Sequence, residues 1–273
     1  MRKGDDPKIC VYLSKYGYME EIDMDSSAPI IKASELVESL KQFQSFMGLP
    51  VTGRLNKATI KMMSMARCGV KDITARTQQR VKRFAMQGST WKKKHITYRI
   101  NKYPKNLRKE DVDIMVHKAF NLWSNHSELT FEACKNSSRI VDIDIAFVKG
   151  KHGDDTSFEG PGGILAHAFF PQFGGDVHFD DSETWTINSV EGTNLLQVAN
   201  HEIGHSLGLS HSEELSASMS PLYNDYIPDF MLHMDDIQGI QKLYGKKTIQ
   251  KPRKLEKTSQ EIWDDYWNGL PDL

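Results

Sequence analysis

The stretch His201-Glu-Ile-Gly-His-Ser-Leu-Gly-Leu-Ser-His211 decides how this chain is read. His201 and His205 are four residues apart, so on a helix they stand one turn apart on one face and can grip a single ion. Glu202 projects beside them. Three neutral imidazoles with an open fourth position make a catalytic zinc site, and His211 supplies the third if the chain turns back after the helix. Gly208 permits that turn, because glycine enters a left-handed C-terminal cap without a Cβ clash. Upstream, Leu195, Leu196, Val198, Ala199 and Ile203 provide a buried face for a helix over 193–207, with the histidines on an edge facing a cleft. Zinc so held lowers the pKa of a ligated water from about 15.7 to about 7, and Glu202 is placed to take the proton and pass it to a leaving amine. The chemistry implied is hydrolysis of a peptide bond. H-E-x-x-H also arises by chance on surface helices, but Gly208, His211 and a downstream methionine, Met219, argue against that here.

With Met219 in Ser218-Met-Ser-Pro-Leu-Tyr223, the chain resembles the matrix metalloproteinases, the matrixin branch of the metzincins, over residues 10 to 246. The resemblance implies that Met219 forms an apolar floor beneath the zinc and that Pro221 and Tyr223 line the specificity pocket. Ser212, directly after the third histidine, favours matrixins over sister families that tend to carry an acidic residue there. Extended substrate is expected along an edge strand at Gly163-Ile-Leu-Ala166, with Leu165 and Ala166 lining the cleft. Gln197, four residues before His201, points toward the pocket in the family pattern, where it either shortens the pocket or makes it partly polar.

His152, Asp154, His167 and His178 offer three imidazoles and a carboxylate. Four protein ligands close a tetrahedral site, and closed sites are structural; matrixins carry such a zinc at matching residues. The loop Glu159-Gly-Pro-Gly-Gly-Ile164 and the run Asp180-Asp-Ser-Glu183 together suit calcium. The resemblance implies ligation by Glu159, Gly160, Gly162, Ile164, Asp180 and Glu183, with Glu159 replacing the usual aspartate. A second calcium site would use Asp142, Gly174 and Asp176. At a third, Asn106 stands where an aspartate is expected.

Arg67-Cys-Gly-Val-Lys-Asp72 resembles the matrixin cysteine switch, in which a thiolate takes the open position on the zinc and keeps the enzyme latent. Gly69 lets the backbone pass close to the cleft floor. Ala66 and Lys71 replace prolines that stiffen this segment in the family. Their loss is expected to weaken the latch by about 0.4–1 kcal/mol per site and give a leakier zymogen. Arg80-Val-Lys-Arg83 is a dibasic signal of the kind secretory proprotein convertases cut, exposing Phe84. In related proteases the freed amino terminus pairs with an aspartate of the C-terminal helix, here Asp235 or Asp236.

The expected organisation is a prodomain over 1–83, a zinc protease domain over 84–246 and a flexible extension over 247–273, too short for the propeller many matrixins carry. Leu36, Leu40, Phe43 and Met47 recur at helical spacing before the loop 48–53 and a second helix, so the prodomain reads as a small helical bundle, similar also to peptidoglycan-binding modules. Helices are expected through Val112, Val116, Phe120 and Trp123, and through Ile237, Ile240 and Tyr244 up to Gly245. Strands are expected at 96–100 and 141–147. The fold class is α/β in layers, and the family's version has a twisted, mostly parallel five-stranded sheet with three helices.

A net charge of −1 gives no support for nucleic-acid binding, and no apolar run is long enough to span a membrane. The sequons at Asn125 and Asn136, the zymogen plan and the calcium sites point to secretion. Met1-Arg-Lys-Gly-Asp-Asp has no apolar signal core, so a missing upstream segment is expected. Three cysteines leave one unpaired, which suits Cys68; the residues leave open whether Cys10 and Cys134 pair. The resulting expectation is a monomeric, secreted zinc endopeptidase acting on extracellular matrix or cell-surface proteins, with a convertase as activator and tissue-inhibitor-type proteins as partners. Its rival is a non-catalytic, metal-stabilised binding module.

Overall fold

A computed structural model of the chain describes residues 7–20, 32–73, 89–136 and 138–248. The convertase signal through Arg83, Phe84 and the tail from 249 lie outside the described residues.

The N-terminal part has three helices, α1 (Pro7–Lys15), α2 (Ala33–Phe46) and α3 (Lys57–Met63). The periodic residues Leu36, Leu40, Phe43 and Met47 are buried, as their spacing predicts. The loop after α2 is held from inside by Gln44. Its Oε1 accepts from the Thr52 and Gly53 amides at 2.8 Å each, and its Nε2 donates to the Arg54 carbonyl at 2.9 Å. Asn56 caps α3, accepting from the Thr59 amide. Helix α1 was not legible as an element in the sequence. Tyr12 of this helix and Tyr18 of the turn after it carry it into this core, both packed edge-on to Phe43.

The larger part is a six-stranded sheet in the order β1-β5-β6-β4-β2-β3. The strands are β1 (Arg67–Cys68), β2 (His95–Lys102), β3 (Thr130–Ala133), β4 (Ile143–Val148), β5 (Ile164–Ala168) and β6 (Val177–Asp180). All neighbours run parallel except β5 and β6. The expected five strands are β2 to β6; the sixth is the cysteine segment itself, laid on the β5 edge. A small parallel pair, β7 (Trp185–Thr186) and β8 (Thr193–Asn194), leads into the metal-bearing helix.

Three helices pack with this sheet: α4 (Lys109–His126), α5 (Leu195–Ser206) and α6 (Met234–Tyr244). In α4 the stripe Val112, Val116, Ala119, Phe120 and Trp123 is fully buried. Helix α5 differs from the amphipathic expectation, since every residue from Leu195 to Ser206 is buried. Apolar residues face the sheet and α4, where Trp123 Nε1 donates to the Asn200 carbonyl at 3.0 Å. The histidine edge is covered by the 66–69 segment and the 217–223 turn.

Candidate metal centre

Helix α5 starts on Asn194, whose side chain accepts from the Gln197 amide. It ends in a Schellman turn: Leu209 N donates to Gly204 O at 3.0 Å and Gly208 N to His205 O at 2.8 Å. Gly208 sits at φ +100°, and a Cβ there would lie 2.3 Å from the Ser89 carbonyl oxygen. Only glycine fits, and the turn it allows delivers His211 to its partners. His201 Nε2 lies 3.1 Å from His205 Nε2 and 3.3 Å from His211 Nε2, and Cys68 Sγ lies 3.5 Å from His205 Nε2. With zinc bonds of about 2.0–2.1 Å to nitrogen and 2.3 Å to sulfur, tetrahedral geometry puts neighbouring nitrogens about 3.3 Å apart and sulfur about 3.5 Å from nitrogen. The four donors therefore fit one zinc.

The far ring nitrogens are also spoken for. His201 Nδ1 lies 2.7 Å from the Ser218 carbonyl, His205 Nδ1 2.7 Å from the Leu209 carbonyl, and His211 Nδ1 2.7 Å from Asp72 Oδ1. Each acceptor fixes the tautomer that presents Nε2 to a metal. Burial holds the His201 pKa down to about 3 and that of His205 well below its ordinary value, so the rings are neutral. Burial also pushes the Cys68 thiol far up, with the charge of Glu202 adding to it. A thiolate persists in such a place only beside a cation. Glu202 is 1% exposed, neither carboxylate oxygen makes a hydrogen bond of ordinary geometry, and burial pushes its pKa up to about 8. The neighbouring Cys68 thiol pulls that pKa back down only in part, and a buried carboxyl with so perturbed a pKa is suited to proton transfer.

Met219 lies under the cluster. Its amide and that of Ser218 donate to Asp236 at 3.0 and 2.8 Å, and a Cβ at Gly204 would meet its sulfur at 2.2 Å. A narrow cleft of about 60 Å³ beside the histidines is lined by Leu165, Gln197, Pro221, Tyr223, Ile227 and Phe230, among others. Gln197 does not leave its amide free in this cleft: Nε2 donates to the Asp225 carbonyl at 3.3 Å and Oε1 accepts from the Ile227 amide at 2.8 Å. Ala166 does not line the cleft; its carbonyl accepts from Gly69 N at 2.9 Å.

The 66–69 segment crosses this cleft as a strand. Arg67 N donates to Gly163 O, Cys68 N to Pro221 O and Gly69 N to Ala166 O, while Tyr223 N donates to Ala66 O. A Cβ at Gly69 would lie 2.9 Å from Ile164 Cγ2, which explains a glycine there. Arg67 is buried against Asp72 at 2.5 Å, donates to the Tyr12 hydroxyl at 2.7 Å, and lies 3.4 Å over the Tyr16 ring. Tyr18 donates to Asp72 Oδ2 at 2.7 Å. Burial would raise the Asp72 carboxyl, but Arg67 and His211 outweigh it and hold the pKa low. The three tyrosines and the bond from Asp72 to His211 were missed in the sequence. The four-residue spacing of Tyr12 and Tyr16 on a helix was the available signal.

A second cluster brings together His152, Asp154, His167 and His178. Asp154 Oδ2 lies 3.1 Å from His152 Nε2, 2.9 Å from His167 Nε2 and 2.8 Å from His178 Nδ1. Four donors packed this closely leave no open position, in keeping with a closed zinc site. Nearby, Asp180 is fully buried with Oδ2 unpartnered, and Glu183 Oε1 accepts from Gly162 N at 2.6 Å. An orphaned buried carboxylate oxygen beside a second carboxylate fits calcium. Glu159 stands apart, with a side chain 80% exposed and ion-paired to Lys15 at 3.5 Å. Asp142 and Asp176 are each engaged by the protein, Asp142 by Lys93 and the Thr97 amide, Asp176 by the Asp144 amide. Asn106 donates to the Trp185 carbonyl. Cys10 and Cys134 form no disulfide.

Comparison with known proteins agrees with this geometry. Residues 9–63 match the family described as putative peptidoglycan binding domain. The chain is 45% identical over 248 residues to an interstitial collagenase of Equus caballus, covering 89% of this chain and 50% of the relative. It is 42% identical over 249 residues to matrix metalloproteinase-16 of Homo sapiens, covering 86% and 41%, and 49% identical over 214 residues to an interstitial collagenase of Sus scrofa, covering 77% and 43%. The chain thus spans about half the length of the curated relatives it matches. The family's cofactors are zinc at two sites and calcium, and the donor sets here fit them. Residues 90–245, which carry the sheet, both histidine clusters and the methionine turn, match the Matrixin family, and the chain belongs to it.

Proposed function

We propose that this protein is a secreted zinc endopeptidase, made as a latent zymogen and acting on extracellular matrix or cell-surface proteins. The observation that carries this is the convergence of Cys68 and three imidazoles on one point, with the unpaired carboxyl of Glu202 buried beside them. When bound, zinc supplies Lewis acidity, polarising a carbonyl and bringing a ligated water toward a pKa of about 7. Glu202 takes the proton from the attacking water and returns it to the leaving amine. The carbonyls of Ser218 and Leu209 hold His201 and His205 in the required tautomer. A substrate strand takes the β5 edge that β1 occupies in the latent chain, inheriting the acceptors Gly163 O, Ala166 O and Pro221 O. Its next side chain enters the cleft walled by Gln197, Pro221 and Tyr223. Relatives named interstitial collagenase support collagen as one substrate to try.

Convertase cleavage after Arg83 would release the latch and free Phe84. Of the two candidate partners for the new amino terminus, Asp236 is committed to the Ser218, Met219 and His233 amides, whereas among the described residues the Asp235 carboxylate accepts a bond only from Ser212 Oγ. Asp235 is therefore the one proposed to receive it. No helix among the described residues is long and apolar enough to cross a membrane. The sequons at Asn125 and Asn136 and inhibition by tissue-inhibitor-type proteins complete the secreted reading. The test is the convertase-cleaved chain and its Glu202→Ala variant, assayed on a panel of matrix proteins with and without a chelator. The parent should cleave and stop with chelator, and the variant should retain zinc while losing at least about 100-fold in rate. A variant that cleaves like the parent would sink the assignment.

A further inference from the structure

We propose that the propeptide holds the catalytic metal at two levels: Cys68 by direct ligation, and Asp72 as the positioning carboxylate behind His211. The inference rests on the reading of Cys68 and the three histidines as a zinc set. The far ring nitrogens of His201 and His205 meet carbonyls of Ser218 and Leu209, which stay with the protease after the propeptide is gone. His211 differs from both, because its Nδ1 meets Asp72 Oδ1 at 2.7 Å, across 139 residues of sequence. Both side chains are wholly buried, so no water replaces this contact while the latch is closed.

Asp72 is itself held in place. Arg67 Nη2 reaches Oδ1 at 2.5 Å, the Tyr18 hydroxyl donates to Oδ2 at 2.7 Å, and the Asp72 amide donates to the Tyr16 carbonyl at 3.0 Å. Helix α1 and the turn after it thereby position a carboxylate on a metal-binding ring. A carboxylate accepting from the outer nitrogen fixes the ring and raises its basicity as a ligand, and losing such a partner costs about 10–100-fold in metal affinity. Cleavage and departure of the propeptide would then remove the thiolate and the outer-shell carboxylate in one event. The mature site would be open, and its third histidine left without the carboxylate that supported it.

The test uses the full chain and its Asp72→Asn variant, each loaded with cobalt(II) for spectroscopy and with zinc for competition against a chelator. In the cobalt chain a sulfur-to-metal charge-transfer band reports whether Cys68 is bound. We expect Asp72→Asn to keep that band and yet to lose zinc to the chelator at about 10–100-fold lower chelator concentration. Retention within twofold of the parent, with the band intact, overturns the proposal. If the variant loses the band, the unaltered zinc-loaded chain labelled with ¹⁵N-histidine decides. A slowly exchanging His211 Nδ1 proton, downfield of those on His201 and His205, supports the carboxylate contact, and its absence overturns it. A parent chain with no band at all fails the latch reading itself, a different outcome from a failure confined to Asp72.

Discussion

At the scale of single residues, the tightest constraints come from positions with no side chain. Gly208 carries a left-handed backbone and leaves a Cβ no room against the Ser89 carbonyl, so its turn aims His211. Gly208→Ala should lower stability by about 2 kcal/mol or more, from strain plus the clash, and should weaken zinc retention by displacing His211. Denaturant midpoints and chelator competition check both, and an unchanged midpoint would show that the turn relaxes freely. Glycine before the third histidine was legible because the motif demands a turn there. The carbonyl that crowds it was not, since Ser89 lies 119 positions upstream and reaches the turn only through the fold.

Elements show where local pattern stopped being informative. The helices through Trp123 and Tyr244 follow their apolar periodicity and appear as α4 and α6, and the alternation near 141–147 is β4. Helix α5 is buried all round because the latch covers its histidine edge, and no periodicity reveals a cover supplied by distant residues. The same reason hid β1, two residues that become a strand only against β5. Gln197 was placed at the pocket by its position before His201, but its amide turns out to tie down the 225–227 loop. Gln197→Leu removes two hydrogen bonds to that loop, so it should cost about 1–3 kcal/mol and widen the range of side chains accepted after the scissile bond. Denaturation of the zymogen and a peptide-library profile of the cleaved enzyme measure these, and an unaltered profile would mean the loop is held by other contacts.

For the whole molecule, latency and pH response are the quantities to predict. Replacing the two prolines by Ala66 and Lys71 argues for a leaky latch, whereas the buried Arg67, Asp72 and three tyrosines argue for a firm one. With the segment in place, removing Arg67 would leave the Asp72 charge buried without its cation, at about 3–5 kcal/mol, a larger loosening than the two missing prolines give. Titration of the intact chain with a tight active-site inhibitor should therefore find only a small accessible fraction, and Arg67→Gln should raise it at least tenfold. In the zinc-free chain, burial holds His201 down to about 3 and His167 to about 4, with His205 and His211 also lowered. The unfolded chain takes up these protons from about pH 6.5 downward and the folded chain does not, so stability falls as pH drops from about 6.5 toward 3. His201 contributes about 1.4 kcal/mol per pH unit from about 6.5 down to about 3 and His167 down to about 4, with nothing further above that window, while His205 and His211 add in the same direction. Urea midpoints between pH 4 and 8 read this slope, and a flat profile would mean the rings are not neutral and buried.

The sequence by itself determined the donor types and their spacing: two groups of histidine, acidic and cysteine side chains that the fold brings together, and a glycine for the turn between them, because spacing on a helix and ligand type are local properties. It also determined the helices and strands whose apolar periodicity matches their own geometry. Only the tertiary structure decided that Asp72 stands behind His211, that Tyr12 and Tyr16 pack on Arg67 while Tyr18 holds Asp72, that Gln197 clamps a loop and that Glu159 faces Lys15. Those pairings join residues many positions apart, and the free energy that selects them comes from burying charge and aromatic surface together, which no window along the chain contains.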